Sequence, residues 1–315
     1  SGTATVAAMG SILIPAMVAQ GYDAGFSSAL SAISGSLGTV IPPSITFIIY
    51  GMITGESIGD LFLSGIVPGL IFGFMLCIMV FIKSKKNGWK GETQRASLKE
   101  IGRLFLDTIW GLLSPVIVLG GIYSGLFTPT EAAAVAVVYS LIVGIFIYKE
   151  LRLAELKETL FSTAKTTGMI LLIIMNAGIF SWVLTQQGIA ASLTEMALAL
   201  TDNKYIMLVI INIVFLCAGC VMDNTSALYI LVPIIMPIAK ALDINMIQLG
   251  VILVLNLSIG QVTPPVGPNL YVAADIGKVK FEEICRKMVP LLLMSLLALL
   301  CITYIPALSL CLIPS

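Results

Sequence analysis

The chain has 315 residues, of which 58% are hydrophobic and 11% are charged, with a formal net charge of zero and no histidine. A soluble domain carries about 25% charged residues, so this composition, with a mean hydropathy of +1.04, indicates a multi-span membrane protein. Histidine-based catalysis and histidine-bound metals are excluded. The sequence also offers no basic, aromatic surface of the kind that binds nucleic acid.

The first part of the chain predicts a helix that breaks inside the membrane. Its apolar segments are residues 3–19, 22–37, 44–54 and 62–82. The first is shorter than the about 20 residues that a spanning helix needs, and the last is an uninterrupted span. Pro42 and Pro43 separate the two middle segments, and prolines remove backbone donors and clash with the preceding turn. The freed backbone groups therefore need partners other than bulk water.

The rest of the chain predicts further spans, a hairpin and a second break. After a polar segment at 83–100, the apolar segments are residues 104–124, 129–148, 163–186, 188–200, 204–220, 226–240, 246–258, 266–275 and 288–310. The 188–200 segment is short and amphipathic. The two segments after it are short runs joined by five residues, which predicts a re-entrant hairpin. Pro264 and Pro265 then repeat the earlier proline pair and predict a second broken helix.

Basic residues are distributed unequally among the connections between these segments. If each full or broken helix crosses once and the hairpin turns back, 15 of the 17 basic residues fall on one side of the membrane. They lie in the connections 83–103, 149–165 and 276–287, whereas Lys204 and Lys240 fall on the opposite side. Basic loops are retained in the cytoplasm, so these three connections are predicted to be cytoplasmic.

The two breaks belong to a repeat with an offset of 222 residues. With this offset all four prolines of the first copy coincide with prolines of the second, and Gly38 coincides with Gly260. The predicted topology makes the two broken helices run in opposite directions. Inverted repeats of this kind place the substrate and ion sites of secondary transporters near the bilayer midplane, at discontinuous helices. By the same symmetry, about 120 residues are expected before Ser1.

Half-helices that end inside the membrane predict cation sites. Such ends are predicted near Gly38, Gly219 and Gly260, where unpaired carbonyls coincide with the negative end of a helix dipole. Oxygen ligands suit a hard cation, and sodium fits best because no carboxylate cluster is present for calcium or magnesium. Thr263 adds a hydroxyl group at the second break.

Half-helices that start inside the membrane predict an anion site. Their N–H groups and the positive ends of their dipoles suit a carboxylate. The predicted substrate-binding residues are Ser1, Gly2, Thr3, Pro43, Ser44, Asn224, Thr225, Ser226, Gly267, Pro268 and Asn269. Asp223 at the hairpin tip leaves two interpretations open. It binds sodium or carries a proton, or it caps the helix that follows.

Several motifs occur in a specific order over nearly the whole chain. They are Ser1-Gly2-Thr3-Ala4-Thr5 leading to Gly10-Ser11-Ile12-Leu13-Ile14-Pro15, Ile41-Pro42-Pro43-Ser44, Gly120-Gly121-Ile122-Tyr123-Ser124-Gly125 with Thr128-Pro129-Thr130-Glu131-Ala132, Met222-Asp223-Asn224-Thr225, and Gly260-Gln261-Val262-Thr263-Pro264-Pro265-Val266-Gly267. Together they resemble the large membrane subunit of the tripartite ATP-independent periplasmic (TRAP) transporters. The spans that come first in this family, and the first arm of its first re-entrant hairpin, are absent from the sequence. An N-terminally truncated subunit, which begins at the second arm of that hairpin, is therefore expected.

The resemblance implies an all-α polytopic membrane protein with the ion-transporter-superfamily fold, inverted repeats, re-entrant helical hairpins, two broken helices and an elevator mechanism. It implies Na+-coupled import of an organic acid, C4-dicarboxylate-like or related, across a bacterial inner membrane. A periplasmic substrate-binding protein delivers the acid, and a small TRAP membrane subunit is the partner in the lipid bilayer. The family's two sodium sites correspond to Ser1, Gly38, Ile41 and Pro43, and to Gly219, Gly260, Thr263 and Val266.

This interpretation divides the chain into four parts. They are an incomplete first inverted repeat (1–82), a cytoplasmic connector (83–103), spans that lead into the second repeat (104–187), and the second repeat itself (188–310). One alternative is a standalone Na+/carboxylate symporter of the same superfamily, which needs no binding protein. A remote alternative is an intramembrane enzyme, but the sequence offers no paired intramembrane acids and no Ser–His pair. We therefore predict that the protein is not an enzyme.

Overall fold

The computed structural model describes residues 2–91 and 97–313, and within these ranges the regular secondary structure is helical. The α-helices are α1 (Gly2–Ala19), α2 (Ala24–Ser36), α3 (Ile45–Thr54), α4 (Ile58–Asn87), α5 (Leu98–Tyr123), α6 (Pro129–Ile142), α7 (Leu153–Gln186), α8 (Ile189–Leu200), α9 (Lys204–Val221), α10 (Asn224–Ala241), α11 (Met246–Gly260), α12 (Pro268–Gly277), α13 (Phe281–Tyr304) and α14 (Ala307–Leu310). The prediction of an all-α membrane protein is confirmed.

The chain forms two compact units. The first comprises residues 1–91 and 177–315, and the second comprises residues 92–176. The second unit contains α5, α6 and the first part of α7. Its α6 begins with a capping box: the backbone N–H of Glu131 donates to Thr128 Oγ1, and Glu131 Oε2 accepts from the backbone N–H of Thr128. Every candidate site residue that the structure describes lies in the first unit.

Eight helices among the described residues are long and apolar enough to cross a membrane: α1, α4, α5, α6 with the turn that follows it, α7, α9, α10 and α13. The half-helices around the breaks are shorter. The 10 residues of α3 and of α12 span about 15 Å each, half of a hydrocarbon core of about 30 Å. Each can therefore cross only together with the half-helix that precedes it.

Several helices extend beyond the apolar segments because their ends are set by caps. For α4, Ser57 Oγ accepts from the backbone N–H of Asp60, and Gly88 ends the helix in the left-handed conformation with a φ of 70°. For α5, Ser97 Oγ accepts from the backbone N–H of Lys99. The predicted spans 62–82 and 104–124 were therefore too short at these ends, since hydropathy marks the buried part of a helix and caps mark its termini.

The two broken helices, α2–α3 and α11–α12, run antiparallel, as predicted. Near the start of α2, Ser28 lies against Gly277 at the end of α12. In the middle, Thr39 Oγ1 lies 2.5 Å from Ser258 Oγ. At the far end the Tyr50 hydroxyl of α3 donates to the carbonyl of Met246 at 2.6 Å. These contacts bring the two proline breaks together in the core of the first unit.

Each hairpin has an arm that packs against half-helices of both repeats. The α1 helix packs against α2 of its own repeat and against α12 of the other, whereas α10 packs against α11 and against α3. The other arm of the second hairpin, α9, lies along α11. Each of the four half-helices thus contacts at least one hairpin arm. The start of α1 and the tip of the second hairpin both lie at the second break.

Candidate substrate and cation site

The first break begins with a 3-10 turn, Leu37–Thr39, which tightens the end of α2. The backbone N–H groups of Val40 and Ile41 both donate to the carbonyl of Leu37, at 3.0 and 2.9 Å. Ser44 then starts α3: its Oγ accepts from the backbone N–H of Phe47 and donates to the carbonyl of Thr39 at 2.5 Å. The hydroxyl of Ser44 therefore stabilises the break itself through two local hydrogen bonds.

The second break has its own internal hydrogen bonds. The backbone N–H of Thr263 donates to the carbonyl of Gly260 at 2.9 Å, and Thr263 Oγ1 donates to the carbonyl of Ile259 at 2.8 Å. Gly267 then starts α12 in the left-handed conformation, with a φ of 51°, which glycine adopts at low cost. Because Thr263 donates backwards along the chain, the lone pairs of its hydroxyl oxygen are left for another ligand.

The tip of the second hairpin contacts the end of α11 through backbone atoms. A Cβ added to Gly260 would lie 2.6 Å from both the Cα and the carbonyl carbon of Gly219, and 3.1 Å from the backbone nitrogen of Cys220. Both glycines are buried. Two helix C-termini, α9 and α11, thus meet without intervening side chains, and their carbonyl groups carry the negative ends of both dipoles. The structure thus brings together Gly219 and Gly260, two residues of the predicted second sodium site.

The end of α2 has a comparable but more exposed contact with α1. A Cβ on Gly38 would lie 3.0 Å from Thr5 Oγ1, and one on Gly35 would lie 3.1 Å from the backbone nitrogen of Val6. Gly38 corresponds to Gly260 in the repeat and Ile41 corresponds to Thr263. In the structure Gly38 and Pro43 are exposed, as is 42% of Ile41, and the predicted ligand Ser1 lies outside the described residues.

The start of α1 lies against the second break. A Cβ on Gly2 would lie 2.5 Å from Gln261 Oε1 and 3.0 Å from Asn269 Nδ2. Asn269 is fully buried in the first turn of α12, its Nδ2 is 3.4 Å from Gln261 Oε1, and its Oδ1 has no hydrogen-bond partner among the described residues. The structure thus brings together the starts of α1 and α12, two of the predicted anion-binding helix ends.

The start of α10 shows which of the two interpretations of Asp223 the geometry supports. Asp223 Oδ2 accepts from the backbone N–H of Ser226 at 3.1 Å, and its Oδ1 accepts from Ser226 Oγ at 2.6 Å. The capping interpretation is therefore observed, and the hydroxyl proton of Ser226 is used by the cap. The next residue, Asn224, is buried, and its Oδ1 has no partner in the described part of the chain.

The remaining predicted residues lie along these same helix starts. Thr3, Thr225 and Pro268 are half-buried in the first turns of α1, α10 and α12. The last residue of the predicted second cation set, Val266, lies beyond the proline pair and has 40% of its surface exposed. The second cation set thus has a buried part, formed by two glycines, and a more open part that includes Thr263.

Sequence reasoning missed the support behind the first break. Gly65 and Gly69 of α4 lie one turn apart; a Cβ on Gly65 would be 2.8 Å from the carbonyl oxygen of Val40, and one on Gly69 would be 2.6 Å from Ile41 Cγ1. The spacing of two glycines four residues apart is a recognised signal for close helix packing in membranes. That signal in the sequence could have identified this surface.

We expect Gly65→Ala to destabilise the protein, because the new methyl group would also lie 2.6 Å from Cε2 of the fully buried Phe47. Overpacking of this kind costs about 1–3 kcal/mol. Thermal unfolding of the purified protein in detergent measures the effect. Gly73→Ala on the same helix is the control, since the nearest atom that its Cβ would meet in the described part of the chain is Leu37 Cδ1, at 3.8 Å. Equal melting temperatures for both variants would contradict the close packing.

An all-helical membrane protein with two antiparallel broken helices and hairpin tips at the breaks has the architecture of a secondary transporter. A profile of the family described as "Tripartite ATP-independent periplasmic transporter, DctM component" matches residues 1–308. The chain belongs to this family, whose members are multi-pass transport proteins of the bacterial inner membrane rather than enzymes.

Three relatives illustrate the similarity. The isethionate TRAP transporter permease protein DctMQ of Oleidesulfovibrio alaskensis is 43% identical, over 98% of this chain and 48% of the relative. The C4-dicarboxylate TRAP transporter large permease protein DctM of Pseudomonas aeruginosa is 43% identical, over 99% of this chain and 73% of the relative. The 2,3-diketo-L-gulonate TRAP transporter large permease protein YiaN of Escherichia coli is 36% identical, over 97% and 72%. The chain thus spans about half of the first relative and nearly three quarters of the other two.

Proposed function

We propose that this chain is the large permease subunit of a transporter that imports an organic acid, a C4-dicarboxylate or a related carboxylate, together with Na+. The relatives are named for isethionate, C4-dicarboxylates and 2,3-diketo-L-gulonate, all of which are small organic anions. The observation that carries the proposal is the backbone contact between Gly219 and Gly260, beside the starts of α10 and α12. It combines a site for a cation with a site for an anion.

The geometry supports coupling because the same two turns contain both kinds of helix end. At the hairpin tip α9 ends at Val221 and α10 begins at Asn224; at the break α11 ends at Gly260 and α12 begins at Pro268. A Na+ ion bound to carbonyl oxygens of Gly219 and Gly260 would fix both turns. It would thereby fix the N–H groups that face a carboxylate. By linkage, each ligand then raises the affinity of the other, which is what symport requires.

We expect Thr263→Ala to raise the Na+ concentration needed for half-maximal uptake by roughly tenfold or more, since a hydrogen-bonding or ligand oxygen facing a charge contributes about 1.5–3 kcal/mol. The substrate concentration for half-maximal uptake at saturating Na+ should change little. Thr263→Ser keeps the oxygen and is the control, because it should retain the normal Na+ dependence. An unchanged Na+ dependence in the alanine variant would count against Thr263 as a ligand.

We propose that the connections 83–103, 149–165 and 276–287 are cytoplasmic. Two contacts support a common side for the first and the last. The ring of Trp89 lies 5.1 Å from that of Tyr22 in the turn between α1 and α2, and Lys287 forms an ion pair with Asp23 of the same turn at 3.0 Å. Both connections thus meet one turn at one end of the first unit.

We also propose an elevator mechanism and two partners. All described candidate residues lie in the first compact unit, which would carry the bound ion and acid across as one body. A periplasmic substrate-binding protein would deliver the acid, and a small TRAP membrane subunit would complete the membrane complex. The relative named DctMQ and the family description, tripartite, support these partners.

Uptake into proteoliposomes tests the proposal. The complete permease complex is reconstituted with its binding protein, and uptake of labelled succinate, isethionate and 2,3-diketo-L-gulonate is compared with an inward Na+ gradient and with K+ in its place. Accumulation of at least one acid that requires both Na+ and the binding protein is the expected result. Uptake that ignores Na+ would overturn the coupling, and uptake without the binding protein would indicate a standalone symporter.

A further inference from the structure

The two breaks are joined by one pair of hydroxyl groups. Thr39 Oγ1, at the end of the 3-10 turn that follows α2, lies 2.5 Å from Ser258 Oγ in the last turn of α11. Thr39 is 5% exposed and Ser258 is fully buried. These residues are separated by 219 positions in the chain, and neither belongs to the predicted ligand sets. Thr39 follows Gly38 of the first set, and Ser258 precedes Gly260 of the second.

The number of hydroxyl protons limits which hydrogen bonds Thr39 and Ser258 can form at the same time. Thr39 Oγ1 is also 2.7 Å from the carbonyl of Ser36, and Ser258 Oγ is 2.7 Å from the carbonyl of Val254. There are thus three short oxygen–oxygen distances but only two hydroxyl protons. If Thr39 donates to Ser258, which donates to Val254, the breaks are joined. The reverse order, in which Ser258 donates to Thr39 and Thr39 donates to Ser36, joins them equally. Only when Thr39 donates to Ser36 and Ser258 donates to Val254 does no proton lie between the two hydroxyl oxygens, and their repulsion then favours moving the breaks apart.

We propose that the Thr39–Ser258 pair couples the two cation sites, so that Na+ at one break raises the affinity of the other. The inference rests on the proposed function. A cation that orders the end of α2 holds Thr39 in place for the joined arrangement, and the end of α11 is then ordered before its own ion binds. A site that is already ordered loses less conformational entropy on binding. Coupling needs a two-state element that both sites bias, and the hydroxyl pair is such an element.

Cys220 provides a local reporter of the second site alone. It follows Gly219 at the hairpin tip, its backbone nitrogen is beside Gly260, and it is 8% exposed. The other five cysteines, Cys77, Cys217, Cys285, Cys301 and Cys311, are free thiols and can be replaced by alanine. In the complete permease complex, with the partner subunit also free of cysteine, the rate of Cys220 methylthiolation by methyl methanethiosulfonate then reports closure of this tip.

The experiment measures how Na+ protects Cys220, with choline replacing Na+ at constant ionic strength. Because the reporter senses one site, independent sites give a simple hyperbolic curve, whereas coupled sites give a Hill coefficient above 1. We expect the parent protein to show the coupled curve. We expect the double variant Thr39→Val, Ser258→Ala to show a Hill coefficient of 1 and a midpoint raised by about 2–12-fold, which is the square root of the usual coupling of about 5–150-fold, as two sites of similar affinity require.

Two variants separate coupling from a general loss of structure. Thr39→Ser keeps the hydroxyl group and should keep the steep curve. Ser295→Ala removes an equally buried hydroxyl whose one hydrogen bond among the described residues is to the carbonyl of Leu291 on its own helix, and it should also leave the curve unchanged. A double variant as steep as the parent, or a parent curve that is hyperbolic, overturns the coupling. A parent protein that Na+ does not protect at all overturns the cation site of the proposed function itself.

Discussion

Gly260→Ala is expected to abolish most Na+-dependent uptake at ordinary Na+ concentrations. The added methyl group would lie 2.6 Å from two backbone atoms of Gly219, and backbone cannot rotate away as the end of a side chain can. The hairpin tip and the end of α11 must therefore separate, and the carbonyl groups of the two residues separate with them. Overpacking costs about 1–3 kcal/mol. If this cost falls on the ion-bound form, the affinity for Na+ decreases by about 5–150-fold.

The measurement is the Na+ dependence of uptake in proteoliposomes at saturating substrate. High Na+ should restore part of the activity, because the variant retains the proposed oxygen ligands and only their spacing changes. Gly168→Ala is the matched control. It makes the same change inside α7 at a position where an added Cβ would have no atom of another described segment within 4 Å. Normal Na+ dependence in Gly260→Ala would show that the backbone contact has no part in ion binding.

Asn269→Leu is expected to weaken binding of the organic acid rather than binding of the Na+ ion. The side chain is fully buried in the first turn of α12, next to Gly2 and Gln261, and its Oδ1 has no partner in the described ranges. Leucine has the same branched shape and the same number of side-chain heavy atoms but offers no polar atom. If the amide contacts the acid, its loss costs about 1.5–3 kcal/mol, a roughly 10- to 150-fold rise in the substrate concentration for half-maximal uptake.

The Na+ dependence of the Asn269→Leu variant, measured at saturating substrate, should stay close to normal. This outcome separates it from Gly260→Ala, in which the Na+ dependence changes. Asn176→Leu is the control: within the described ranges, the Nδ2 of this asparagine donates only to the carbonyl of Leu172 on its own helix. An unaltered substrate dependence in Asn269→Leu would show that Asn269 does not contact the substrate. A change in the Na+ dependence alone would show that Asn269 contributes to the ion site instead.

The breaks were predictable because their cause is local. Pro42 and Pro264 stop a helix wherever they occur in an apolar run, and the half-helix start at Pro268 follows from the same reasoning. The start at Asn224 was predictable from the polar turn between two short apolar runs. Helix length was less predictable. Short polar caps such as Ser57 and Ser97 set the true starts of α4 and α5, and these caps lie outside the hydrophobic pattern that defines a span.

The contacts between the repeats were not predictable from the sequence. The closeness of Gly2 to Asn269, and of Thr39 to Ser258, depends on how antiparallel helices cross. No local sequence pattern predicts where two helices cross, because the contacting residues are distant in sequence. Each of them, taken alone, is an ordinary small or polar residue. The repeat predicted that the breaks are related, but only the packing of α1 on α12 shows which hairpin tip meets which break.

The packing of α1 on α12 also has a consequence for biosynthesis. Gly2 contacts Asn269, which the ribosome adds 267 residues later, a delay of roughly 13–50 s at about 5–20 residues per second. During this time α1 can dock only on α2, where Gly35 already fits against Val6. The polar start of α1 is therefore expected to wait beside α2, and the proposed transport site can be completed only after Asn269 has been inserted.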